Sequence, residues 1–131
     1  MQVDAEKIML WTARIIAALI LFQTLFFKFS GSPESIYIFE AVGMEPWGRI
    51  GVGIAELAAA LMLLIPAVSW IGATIGVGVM AGAIGFHLTI LGVEVQGDGG
   101  YLFFLALVAE MGSLFVLWRS RTQVLLALKS L

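Results

Sequence analysis

Six ionisable residues lie inside or at the rims of long apolar stretches: Arg14, Lys28, Arg49, Glu56, His87 and Glu110. A charge in hydrocarbon costs about 3 kcal/mol or more, so such side chains face protein or water and mark functional candidates. A histidine suits proton transfer, because imidazole changes charge near neutral pH. A buried carboxylate such as Glu56 needs a cation or donor if it is to stay charged. Lys28, Arg49 and His87 are the partners that fall at its depth.

Helical spacing sorts these residues into two groups. On the first apolar stretch Arg14, Ala17, Ala18, Leu21, Leu25 and Lys28 share a stripe, with Gln23 opposite. Arg14 and Lys28 lie about 21 Å apart along the axis at 1.5 Å per residue, so they serve different levels. On the second stretch Arg49, Gly53, Glu56 and Ala60 share a stripe. An outer cluster of Lys28, Arg49, Glu56 and His87 follows, with a deeper pair, Arg14 and Glu110. One reading is a set of interhelical bridges that fix topology, in which Lys28 snorkels to the surface. The other is a polar pocket for a head group, a quinone or a small polar substrate, with His87 or Glu56 moving protons.

The elements that must position these residues are membrane helices. Of the 131 residues, 61% are hydrophobic and 12% charged, and mean hydropathy is +1.05. A soluble fold of this size lacks the polar residues to cover its surface. The pattern predicts an all-α membrane protein, a four-transmembrane-helix bundle forming a single domain over 1–131. Its spans run over about 8–29, 47–65, 70–92 and 101–118. Asp4, Glu6 and Arg14, with no small-residue cleavage pattern, mark the first stretch as a retained helix rather than a secretory signal.

Between the first two spans, Ser32 caps and Pro33 opens a short amphipathic helix, stopped at Gly43, that lies at the bilayer surface. Ala67-Val68-Ser69 makes a tight hairpin, and the tail from Thr122 forms a further surface helix. The third span is rich in glycine, with stripes at Gly72/Gly76/Ala83/His87 and Gly78/Gly82/Gly85. Small residues at this spacing let helices approach closely, so this span should sit between two neighbours, and self-association is also open to it. Lys7, Arg119, Arg121 and Lys129 lie on one side, against Lys28 and Arg49 on the other, which places both termini in the cytoplasm.

Several chemistries find no support. The chain has no cysteine, which removes disulfides, dithiol redox and cysteine-ligated clusters. Its net charge of −2 and lack of a basic run give nucleic acid no footing. Gly51-Val-Gly53-Ile-Ala-Glu56 begins like a dinucleotide fingerprint, but it follows no strand and lacks the third glycine. One histidine cannot supply bis-histidine haem ligation, and no spacing sets His87 with two carboxylates as a metal site.

The order of these marks resembles the DoxX family of small four-helix membrane proteins. The matching features are Arg14, Lys28, the re-entry Gly43-Met44-Glu45-Pro46-Trp47-Gly48, Gly53-Ile-Ala-Glu56-Leu57, and Met80 to His87, within about Leu10 to Trp118. The resemblance implies a multi-pass protein of the bacterial cytoplasmic membrane. It also implies an accessory or subunit of a quinone-linked redox system, with redox enzyme subunits as partners and a quinone or lipid as the bound molecule. No cofactor is evident from the residues themselves. A transporter or binder of a small amphiphile, and an assembly factor or scaffold, are the alternatives.

Overall fold

A computed structural model describes residues 4–131; the first three residues of the expected single domain lie outside the described residues. The described chain is all-helical, with no strand. Helix α1 (Ala5–Ser30) starts where the Asp4 side chain accepts from the Glu6 N–H, at 3.0 Å, and stops at Gly31 in the left-handed conformation, φ 68°. Helix α2 (Pro33–Ala41) starts one residue later, with Ser32 Oγ accepting from the Ser35 N–H at 3.3 Å. Helix α3 (Trp47–Leu63) leads through a short 3-10 turn (Pro66–Val68) into α4 (Ser69–Phe86), which winds on as a π turn (His87–Leu91). After a glycine-rich loop come α5 (Tyr101–Arg119) and α6 (Arg121–Lys129), the latter with no buried residue.

Four of these helices close a ring. Helix α1 packs against α3 and α5, and α4 packs against the same two from the other side. Helix α2 bridges α1, α3 and the π turn at one end; this is the lid end, and the opposite end is closed. Among the described residues, three segments are long and apolar enough to cross a membrane: Ala5–Ser30, Pro66–Leu91 and Tyr101–Arg119. Helix α3 is shorter, at 17 residues. It ends at Leu63 rather than at the expected 65, because the chain must already turn to reach Pro66. The third span keeps its expected length but not its regular form, since winding changes from α to π at His87. Outward faces carry large apolar side chains such as Leu19, Phe26, Ile54, Phe104 and Met111.

The core is made of small residues: Ala17, Ala18, Ala59, Ala60, Ala73 and Ala109, with Leu21, Leu63 and Val116 as the larger fillers. Small cores hold helices near one another, and glycine marks where the approach is closest. A Cβ on Gly72 would lie 2.8 Å from the Ala59 carbonyl oxygen and the Leu63 nitrogen of α3. One on Gly76 would lie 2.8 Å from Ser113 Oγ of α5, and one on Gly112 would lie 3.3 Å from the Ala13 carbonyl of α1. All three contacts belong to the closed end. Towards the lid end, a Cβ on Gly78, Gly82 or Gly85 would meet nothing within 4 Å. Helix α4 does sit between two neighbours, but both are reached through the Gly72–Gly76 stripe. The second glycine stripe, expected to seat a helix as well, faces outward instead.

This asymmetry gives a stability prediction. Gly72→Ala forces backbone apart and should lower the unfolding free energy by about 1–3 kcal/mol, the usual cost of overpacking. Gly85→Ala should leave stability unchanged or raise it by up to about 1 kcal/mol through helix propensity. Reversible unfolding of detergent-solubilised protein against rising dodecyl sulfate measures both.

Candidate functional site

Where the helices part, they enclose a cavity of about 460 Å³, within the usual range for one small ligand of about 300–1,000 Å³. Every helix except α6 contributes to its wall. Most of the wall is apolar, from Ile20, Phe39, Val52, Val79 and Leu105 among others, while the polar groups gather at the lid end.

The central polar contact joins α1 to α3. Lys28 Nζ lies 3.1 Å from Glu56 Oε1, and Thr24 Oγ1 donates to Glu56 Oε2 at 2.5 Å. Both carboxylate oxygens are therefore occupied on a side chain only 2% exposed. Lys28 follows Thr24 by four residues, so the two side chains sit one above the other on the same helix face. Thr24 is a residue that sequence reasoning passed over. Its spacing from Lys28 was the available signal, masked because threonine is common in membrane helices as a back-bonded residue; its Oγ1 also lies 2.9 Å from the Leu21 carbonyl oxygen, which shares the one hydroxyl hydrogen with Glu56.

His87 enters the same cavity from the π turn, at 5% exposure. Its Nδ1 lies 2.9 Å from the Gly92 carbonyl oxygen. A carbonyl only accepts, so Nδ1 carries the hydrogen and Nε2, which has no partner among the described residues, is left for a ligand. Phe103 of α5 meets the ring edge-on, with centroids 5.5 Å apart. His87 continues the Gly72/Gly76/Ala83 face of α4, and the π winding begins at it; such local insertions recur at functional sites.

Asp98, also missed from sequence, lines the cavity from the loop before α5. Its Oδ1 accepts from the Val95 and Gly100 N–H groups at 3.0 and 2.8 Å, and its Oδ2 accepts from Leu102 at 3.2 Å. Burial by itself would raise this carboxyl, but the three backbone donors, with His87 nearby, hold it below the usual carboxylate range. An aspartate three residues before a helix in a Gly-rich loop is a legible capping signal in retrospect.

The remaining sequence candidates are placed elsewhere. Arg49 does not line the cavity; its Nε and Nη2 pair with Glu45, one turn earlier, Nη2 at 2.9 Å. Its Nη1 donates to the Lys28 carbonyl, which fastens the end of α1 to the start of α3. Arg49 is therefore committed to the corner beside the lid rather than to Glu56. Arg14 and Glu110 form no ion pair among the described residues. The Arg14 Nε donates to the Leu63 carbonyl at 2.6 Å, and its guanidinium lies 3.9 Å from the centroid of the Trp11 ring. Leu63 ends α3, so its carbonyl has no acceptor role within the helix, and a cation there also suits the helix dipole. Glu110 keeps one buried oxygen without a partner.

Chemically, the site offers a compensated ion pair, one free imidazole nitrogen and an apolar chamber. A family model, that of the DoxX-like family, matches residues 12–117, which takes in α3, α4 and most of α1 and α5. No curated protein and no solved structure matches the chain.

Two predictions follow from the geometry. Lys28→Met strands a buried carboxylate and should cost about 3–5 kcal/mol, most of it recovered in the Lys28→Met/Glu56→Met double variant, as a double-mutant cycle of unfolding free energies will show. For Asp98 the folded chain holds the proton less readily than the unfolded chain. Its contribution is therefore complete above about pH 4 and fades as pH falls below that. Hydrogen exchange at the Val95, Gly100 and Leu102 amides, corrected for intrinsic rates, should lose protection on acidification. In Asp98→Ala that protection should be low at every pH.

Proposed function

The chain belongs to the DoxX-like family, and we propose that it acts as a single-domain, multi-pass membrane protein that binds a small amphiphile in the cavity beneath α2. Its role would be that of an accessory or subunit of a quinone-linked redox system, with a quinone as the occupant. The observation that carries this reading is the Lys28–Glu56 ion pair, held at the head of an apolar chamber with His87 Nε2 unclaimed. Buried ion pairs are weak stabilisers, and a purely structural contact gains nothing from an adjoining void. A quinone carbonyl accepts hydrogen bonds, which Lys28 can donate, a quinol hydroxyl donates one, which His87 Nε2 can accept, and an isoprenoid tail matches the apolar wall. Electrons would come from a partner enzyme.

In this reading α1, α3, α4 and α5 all cross the bilayer. At 1.5 Å per residue, α3 spans about 26 Å, close to the ~30 Å hydrocarbon thickness, and Trp47 at its start is exposed and suited to the interface. The excess of basic residues at the closed end, from Lys7, Arg119, Arg121 and Lys129 against Lys28 and Arg49, supports a reading with both termini in the cytoplasm of a bacterial cell.

Native mass spectrometry of protein purified gently from its own membrane, with lipid extraction, tests the proposal. A bound quinone or other amphiphile is expected, reduced at least tenfold in His87→Ala and in the Lys28→Met/Glu56→Met double variant. An empty protein, whose variants change only in stability, would overturn it.

A further inference from the structure

Beyond the polar end, the cavity has a second feature that the ion pair does not explain. Gly78 and Gly82 of α4 line it, yet both are exposed on the outer surface, and a Cβ on either would meet no atom. On the helical wheel these residues continue past the α3-facing side of α4, the side that Gly72 marks. Val52 and Glu56 line the cavity from α3. The missing side chains thus leave a furrow along α4 that runs from the ion pair to the outside of the bundle at the α3–α4 seam. Gly85 shares the stripe but does not line the cavity. His87, nearly fully buried with Nε2 unpartnered, faces the same chamber and calls for a polar group inside it.

The charges at the head are already matched. Lys28 is taken by Glu56, and Asp98 by three backbone N–H groups. Glu34 stands at the rim and opposes a second negative charge. Among the described residues that line the cavity, no lysine or arginine is left over for a phosphate or carboxylate, and two acyl chains with a phosphate would overfill about 460 Å³.

We infer that the ligand is a neutral amphiphile with a single slender tail, its head between Lys28, Glu56 and His87 and its tail laid along Gly78 and Gly82 at the α3–α4 seam. This rests on the cavity-binding reading above, whose quinone is itself neutral and single-tailed, and adds the path of the tail and the reason a charged or two-chain lipid is refused.

The test uses the full chain in phosphatidylcholine vesicles and a long-chain fatty alcohol carrying a diazirine in its tail. After illumination, labelled residues are located by peptide mass spectrometry. Label is expected on Val52, Val79 and their neighbours, reduced at least tenfold in Gly82→Trp and in Gly78→Trp, and unchanged in Gly85→Trp. Gly85→Trp, which lies outside the cavity wall and should label like the native chain, and helical circular dichroism of every variant control for folding. Label at Gln23 and Leu105, indifferent to Gly82→Trp, would overturn the furrow while leaving the cavity reading intact. No label on any cavity residue would remove the cavity reading as well. Displacement of the alcohol by an equal amount of anionic phosphatidylglycerol would overturn the neutral head.

Discussion

A carboxylate buried in an apolar bundle must be compensated, and most of the lid end follows from how Glu56 meets that demand. Two partners on α1, Thr24 and Lys28, occupy its two oxygens. This fixes the rotation and height of α1 against α3, since both partners must point at one atom group. The next residues then have little freedom. Gly31 reverses the chain, Ser32 caps α2, and Arg49 holds the Lys28 carbonyl from across the corner. Helix α2 therefore lies over the ring by consequence of an ion pair beneath it. The Coulomb attraction is strong here because the surroundings screen it poorly, and the same poor screening makes either partner alone costly.

The chamber itself arises from unequal helix spacing. At the closed end, Gly72, Gly76 and Gly112 bring backbones into contact, and alanines fill what remains. At the lid end the glycines of α4 point away from the ring, and the inward positions are taken by Met80 and His87. The same residue type thus plays opposite parts on one helix. Where it faces a neighbour it removes separation, and where it faces outward it removes wall. Arg14 seals the closed end by capping the last carbonyl of α3.

Much of this was legible from spacing. The stripe of Arg14, Ala17, Ala18, Leu21 and Leu25 is buried as a wheel predicts, and Ser32-Pro33 opens α2 as its side chains require. Depth brought Lys28 to Glu56 together with Arg49 and His87, and of the three it is Lys28 that pairs with it. Arg49 could not be assigned, because two carboxylates lay within its reach and the nearer one in sequence, Glu45, won. Arg14 and Glu110 were paired by depth, and a backbone carbonyl, invisible in a side-chain inventory, took the guanidinium instead. Asp98 and Thr24 escaped notice for a related reason. Their roles depend on backbone donors and on a threonine rotamer, neither of which hydrophobic periodicity reports.

The hydrogen bond between His87 Nδ1 and the Gly92 carbonyl ties the ring to the turn that carries it. The ring plane is thereby set by the fold before any ligand arrives, and Nε2 stands at one fixed point in the chamber. A molecule entering the chamber meets a contact already in register and has no side chain to immobilise, so less entropy is lost on binding.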